Sequence, residues 1–186
     1  MIYFETERLI LRDWQESDFA PFRAMNMDPN VMEFFPNTLS NSETDAFAGR
    51  IKSEFEKCNY GLFAVEEKES REFLGFIGFH WAAFDSDFTP CIEIGWRLKF
   101  DAWGKGFATE GAAACLKYGF DTLGFDKVYS FTSKLNIRSE SVMKKIGMKK
   151  IAEFDHPNID EGSELKTHVF YMISQPGWRA ALRKQI

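Results

Sequence analysis

Trp103-Gly104-Lys105-Gly106-Phe107-Ala108-Thr109 is the stretch on which the reading of this chain turns. It follows the apolar run Cys91–Lys99 and opens Gly104–Gly124, where Ala108, Ala112, Cys115, Leu116, Phe120 and Leu123 recur at helical spacing. That pattern is a strand-to-helix corner. Its two glycines reach left-handed angles at no steric cost and let the backbone approach a ligand. The first turn of a helix leaves N–H groups unpaired, and the helix dipole adds positive potential, so the corner is an anion site. Lys105 adds a charge at its mouth. The alternative is a bare glycine corner. Two nucleotide patterns are excluded: no G-x-x-x-x-G-K-[ST] occurs, and Thr109 stands where a third glycine of G-x-G-x-x-G would be.

Working outward, Tyr3–Arg12 reads as one strand. Ser17 caps a short helix through Met25, with Asp18 in its first turn, and Ser40 or Ser42 opens a second helix from about Glu43 to Cys58. There Phe47, Ile51 and Phe55 form one apolar stripe. Tyr60–Glu66, Phe73–Phe84 and Cys91–Lys99 follow as a meander with polar links. After the corner and its helix come strand Lys127–Ser133 and helix Arg138–Ile146, ended by Gly147. Strands Met148–Phe154 and Leu165–Ser174 close the chain, and residues 175–186 read as a tail helix. Cys91–Ser133 is a strand–helix–strand unit and therefore a right-handed parallel crossover. The expectation is a single α/β (α+β) domain over residues 1–186. Its mixed, mostly antiparallel sheet has about six to seven strands, a splayed parallel pair, and helices on both faces. Ligands of such sheets bind where the direction of pairing changes.

Lys and Arg number 23 against 28 Asp and Glu, a net charge of −5, which argues against a nucleic-acid binder. It suits a cationic substrate such as an amine. Cys58, Cys91 and Cys115 are odd in number and scattered, so neither a disulfide framework nor a zinc knuckle is expected. The three histidines lack metal-site spacing. With no signal peptide pattern and no apolar run approaching about 18 residues, a cytoplasmic, membrane-free protein is expected.

Several motifs together resemble the GNAT acetyltransferase superfamily. Trp103-x-x-Gly106-x-Ala108 is similar to its [Arg/Gln]-x-x-Gly-x-[Gly/Ala] pyrophosphate motif, with Trp in the first place. Glu93-Ile94-Gly95-Trp96-Arg97-Leu98 looks like its pantetheine-binding strand. Asn136-Ile137-Arg138-Ser139-Glu140-Ser141-Val142-Met143-Lys144-Lys145-Ile146-Gly147-Met148 resembles N-x-x-S-x-x-V-h-x-x-h-G-F. Thr6-Glu7-Arg8-Leu9-Ile10-Leu11-Arg12, followed by Asp18, resembles the T-x-R-L-x-L-R start of the branch holding the ribosomal-protein N-terminal acetyltransferases.

The resemblance implies a GNAT fold and direct acetyl transfer from acetyl-CoA to a primary amine in a ternary complex, with no metal. It assigns the coenzyme to Trp96, Arg97, Leu98, Trp103, Gly104, Lys105, Gly106, Phe107, Ala108, Thr109, Asn136 and Lys144. Glu93 is the base expected at the start of the pantetheine strand, a solvated strand residue being the alternative. Ser139 is expected near the sulfur, against a helix-capping role, and Asn136 has the same alternative. Met143 stands where many relatives carry a proton-donating Tyr. His80 is an alternative base or a structural strand residue, and Trp14, Phe34, Phe35 and Trp81 are an aromatic floor for the acceptor or core. The acceptor is a protein or peptide N-terminus, a polyamine or other small amine, or an aminoglycoside. The acidic loop Asp155–Glu164 is either an attractor for it or a solvated hairpin. Rival readings are a non-catalytic acyl-CoA sensor and a protein-interaction module. The protein is expected as a monomer or homodimer.

Overall fold

The computed structural model describes residues 1–182. In chain order it contains β1 (Ile2–Glu5), β2 (Leu9–Arg12), a 3-10 turn (Glu16–Asp18), α1 (Phe19–Met27), α2 (Asn41–Cys58), β3 (Leu62–Glu67), β4 (Phe73–Ala82) and β5 (Cys91–Leu98). A second 3-10 turn (Phe100–Ala102) precedes α3 (Phe107–Asp121), β6 (Lys127–Ser133), α4 (Ile137–Lys145), β7 (Lys149–Asp155), β8 (Thr167–Ser174) and α5 (Gln175–Leu182). The strands hydrogen-bond in the order β1-β2-β3-β4-β5-β6-β8-β7. β1–β2, β2–β3, β3–β4, β6–β8 and β7–β8 pair antiparallel, and β5–β6 pairs parallel. This is the mixed α/β sheet expected, with eight strands rather than six or seven. The tail helix is described only through 182, and the rest of the expected tail lies outside the described residues.

The extra strand comes from Thr6–Arg8. Period-2 alternation runs through these residues, but the chain folds back on them. Thr6 N–H donates to the Leu9 carbonyl at 2.9 Å, and the Thr6 hydroxyl accepts from Leu9 N–H at 2.9 Å. A threonine bonding to nearby backbone competes with the ladder and makes a turn. The first helix also differs: Ser17 lies inside the 3-10 turn, while Asp18 accepts from Gln15 N–H at 2.7 Å.

Two compact units divide the chain: Met1–His80 with Gly95–Cys115, and Trp81–Ile94 with the chain from Leu116 onward. In the first, β1 to β3 and most of β4 carry α1 and α2. Ser40 caps α2 reciprocally with Glu43, the motif that fixes a helix start. The stripe of α2 buries Ile51 with Phe22, Met25, Val31, Leu62 and Phe76, while Phe47, Phe55 and Trp14 pack against that core. Trp14 therefore belongs to the core, with its indole N–H on the Leu62 carbonyl at 2.8 Å. Beneath it, buried Arg12 bonds Asp18 through both terminal nitrogens, at 2.8 and 2.9 Å, and Glu66 through Nε at 2.7 Å. Gly75 is required where β4 meets β5: its φ is +137°, and a Cβ there would collide with the Arg97 carbonyl.

The second unit is built on β6, β8 and β7, with β6 and β8 in register over seven residues from Lys127 opposite Ser174 to Ser133 opposite His168. Phe84, Phe88, Phe131, Phe154 and Phe170 form an aromatic cluster, with Phe88 stacked on Phe170 at 3.9 Å. His156 joins it, 4.5 Å from Phe84 and 5.0 Å from His168. Burial, then the charges of His168 and Lys166, pull the His156 pKa down to about 4. Its Nδ1 accepts from Asn158 N–H at 3.2 Å, a bond only the neutral ring can take.

A depressed histidine contributes stability that is present above its unfolded pKa of about 6.5 and is lost as pH falls toward 4. His156→Phe should therefore shrink the stability lost between pH 7 and pH 4 by about 1–2 kcal/mol, a figure discounted for partial exposure. Denaturant titration at both pH values reads this, and an unchanged difference counts against it.

All three cysteines are free. Among the described residues no helix is long and apolar enough to cross a membrane, and no group of His, Cys, Asp or Glu is arranged to hold a metal ion.

Candidate active site

In the first unit, β5 runs out at Leu98, and the Phe100–Ala102 turn brings the chain to Trp103 in an extended conformation. The Trp103 indole N–H donates to the Leu98 carbonyl at 2.8 Å, and its ring lies 5.1 Å from Phe100. A large aromatic at the head of the turn thus ties the turn back to its own strand. Gly104 and Gly106 follow with φ of +74° and +85°, the left-handed region that favours glycine. Gly104, Lys105 and Gly106 are exposed, while Phe107 is buried. A Cβ on Gly104 would meet nothing within 4 Å, and one on Gly106 would meet only Arg8, 3.4 Å away. The turn is thus open on its outer side. The first bond of α3 runs from Glu110 N–H to the Gly106 carbonyl, so the amides of 107–109 are the donors that a helix start leaves over.

Two residues outside the turn hold it. Arg8 donates through Nη1 to the Lys105 carbonyl at 2.9 Å, and its guanidinium lies 4.6 Å from the Phe107 ring centre. The same side chain pairs with Glu110, Nε at 2.7 Å and Nη2 at 2.6 Å from Oε2. The other Glu110 oxygen accepts from the Thr6 hydroxyl at 2.5 Å and from Arg8 N–H at 2.9 Å. Burial opposes ionisation of Glu110, but the bonds from Thr6 and Arg8 outweigh it and hold the carboxyl below its ordinary range. A carboxylate in the first turn would otherwise compete with an anion for the helix dipole. Paired in this way it becomes part of the scaffold. The sequence reading stops at Thr109 and gives Glu110 no role. The signal was present in the Thr6-x-Arg8 motif, whose partner stands 102 residues away.

Exposed left-handed glycines, a helix start and a neutralised first-turn acid are the features an anion site needs. The strand residues before them are less uniform. Leu98 is buried and Trp96 half-buried. Arg97 turns its side chain to Asn26 and the Phe35 ring, with no contact to the turn among the described residues. His80 places Nδ1 2.9 Å from the Glu54 carboxylate, and Trp81 is exposed.

In the second unit, β5 and β6 share one register position, Glu93 opposite Tyr129, and Glu93 is half-buried there. One residue on, the Ser130 hydroxyl donates to the Ile94 carbonyl at 2.9 Å, a side chain standing in for a strand partner. Asn136 is the N-cap of α4: its Oδ1 accepts from Ser139 N–H at 3.0 Å. The capping alternative thus occupies the oxygen of Asn136, and a ligand role falls to its Nδ2. Ser139 is half-buried and is not the cap. Lys144 pairs with Glu140 at 3.1 Å, and Glu140 also accepts from the Tyr171 hydroxyl at 2.7 Å. Met143 is buried.

Comparison with known proteins agrees with this geometry. The profile described as "Acetyltransferase (GNAT) domain" matches residues 8–149. The Bacillus subtilis (strain 168) protein named uncharacterized N-acetyltransferase YnaD is 29% identical over 178 residues, covering 95% of this chain and 99% of the relative. A crystal structure of a GNAT-family acetyltransferase from Bacillus anthracis superimposes with a TM-score of 0.78 at 26% identity, over 95% of this chain and 99% of that one. The ribosomal L7/L12 alpha-N-protein acetyltransferase RimL shares the fold at a TM-score of 0.76 and 14% identity, over 94% of this chain and 98% of that one. The motifs, the eight-stranded sheet and these matches agree: the chain belongs to the GNAT acetyltransferase family, enzymes that draw their acetyl group from acetyl-CoA.

Proposed function

We propose that this chain moves the acetyl group of acetyl-CoA onto a primary amine by direct attack, with Glu93 as base. The observation that carries the reading is the exposed turn 104–106, left-handed at both glycines and braced by Arg8 and Glu110. In it the pyrophosphate is held by the amides of 107–109, with Lys105 beside it and Trp103 anchoring the turn. By resemblance, Trp96, Arg97 and Leu98 supply the strand along which the pantetheine arm lies, and Asn136 and Lys144 are further candidates to hold the coenzyme.

The amine arrives as an ammonium and must lose a proton first. Glu93, directly or through a water, takes that proton. The nitrogen then bonds to the acyl carbon as the carbon–sulfur bond breaks. Charge that develops on the acyl oxygen is met by a backbone N–H of the 93–98 strand, strengthened by exclusion of water. The nitrogen then gives up its second proton, and the leaving thiolate, of modest basicity, takes it up through the Ser139 hydroxyl or solvent. Met143 in the place of a tyrosine is compatible with that. The acceptor is a small amine or a peptide N-terminus.

Glu93→Gln should lower kcat by about 100-fold and flatten the acidic limb of the pH–rate profile, with coenzyme A affinity unchanged. Steady-state thiol release with an amine panel reads both, and unaltered kinetics would remove Glu93 from the mechanism. Tight coenzyme A binding with no amine-dependent thiol release would favour the sensor instead.

A further inference from the structure

Arg97 is a cation with no carboxylate partner among the described residues. Its Nη1 donates to the Asn26 side-chain carbonyl at 2.7 Å, and Asn26 is itself fully buried, its amide directed at Thr44 at 3.4 Å. The guanidinium carbon lies 4.2 Å from the Phe35 ring centre, 5.7 Å from Phe47 and 5.5 Å from Phe76. Nε is buried without an acceptor, and neither Nε nor Nη2 has a hydrogen-bond partner among the described residues. Burial alone pulls its pKa down to about 10. The contrast with Arg12, which meets two carboxylates in the same unit, is direct.

A guanidinium set among aromatic rings and left without a counter-charge is costly unless an anion completes it. Its flat fork is built for the two oxygens of a carboxylate. The turn at 104–109 is the proposed seat of the coenzyme's pyrophosphate, and the Arg97 side chain is directed at Asn26 and the Phe35 ring instead. The walls around Arg97 come from other elements: Asn26 on α1, Phe47 on α2, Phe76 on β4, and Phe35 from the connection between α1 and α2. Phe35 is 40% exposed, so the wall it forms faces solvent. Arg97 stands four positions after Glu93 on β5, the strand of the proposed base.

We propose that Arg97, held by Asn26 and framed by Phe35, Phe47 and Phe76, binds a carboxylate carried by the acceptor, so that the acceptor is an amino-acid-like amine. The inference rests on the acetyltransferase reading above and narrows its acceptor. A polyamine has no group for this pocket, and a cation placed against a buried guanidinium is repelled. The net charge of −5 suits a cationic substrate such as an amine. The local field at Arg97 points the other way, and local charge decides what a pocket holds.

The test is acetyl transfer measured with matched acceptors: free amino acids, the same compounds as α-carboxamides, and a polyamine. For the unaltered protein, kcat/KM for the carboxylates should exceed that for the carboxamides by at least about 30-fold. Arg97→Met should collapse the ratio to about threefold or less, and Arg97→Lys should restore part of it. The comparison on the unaltered protein needs no variant, so a misfolded Arg97→Met leaves the test intact. Carboxamides or polyamine accepted as well as carboxylates would overturn the inference while leaving the acetyltransferase reading standing. So would a weakened acetyl-CoA affinity in Arg97→Met with the ratio kept, which would give the guanidinium to the coenzyme. Acetyl-CoA binding with no transfer to any amine would sink the parent reading, and this one with it.

Discussion

Gly106→Val is expected to weaken acetyl-CoA binding by at least about 100-fold while the protein stays folded. The backbone at Gly106 has φ of +85°, where a β-branched residue is strained whatever the space around it. Its Cβ would also press on Arg8, 3.4 Å away, and Arg8 is the side chain that holds the Lys105 carbonyl and Glu110. Relief of either strain rotates the amides of 107–109 out of convergence. The site is on the surface, so the damage falls on ligand geometry more than on the core. Gly104→Ala is the control: φ is +74° but nothing lies within 4 Å, so only the backbone cost of about 1 kcal/mol applies. Arg8→Met should fall between the two, raising KM for acetyl-CoA about tenfold with kcat nearly unchanged, because it loosens the turn without blocking it. Calorimetric titration of coenzyme A ranks the three variants. Full affinity in Gly106→Val would reduce the turn to a bare corner.

The turn was legible because its signal is local: two glycines between a strand pattern and a helix pattern, in a chain where the later Asn136–Met148 motif also follows in order. Helix boundaries held to within a few residues for the same reason, as at Gly147, left-handed at φ +87° after α4. What the sequence hid depends on distant partners. Trp103 reads as a departure from the Arg or Gln of the motif. Only the Leu98 carbonyl, five residues back, shows that the indole replaces a side chain with a backbone tether. Thr6 and Arg8 looked like strand residues because alternation alone cannot reveal that Glu110 needs them. Arg97 sat in a motif read for its backbone, and its side chain gained meaning only once Asn26, 71 residues earlier, was seen beneath it.

Arg12 shows the same dependence at its most costly, and Arg12→Ala is expected to lower unfolding free energy by about 3–5 kcal/mol. The sequence places Arg12 only at the end of the strand Tyr3–Arg12, yet Arg12, Asp18 and Glu66 are 6%, 1% and 5% exposed. Arg12 meets Asp18 with both terminal nitrogens and Glu66 through Nε, and the bond to Asp18 is the foremost reason its own basicity is raised. Arg71 adds a charge contact to Glu66 at 2.9 Å from the exposed side. Replacing the pair of ion bridges by apolar groups would be nearly neutral, but removing the cation alone strands two carboxylates out of water. Arg71 can partly serve Glu66. Nothing among the described residues but Arg12 pairs with Asp18 as a cation. Arg12→Met, which keeps an apolar stem but no charge, should lose nearly as much. Urea unfolding of the parent and both variants at pH 7 reads the two deficits. An Arg12→Met variant as stable as the parent would mean that lost packing of the arginine stem, and not uncompensated charge, is what Arg12 supplies.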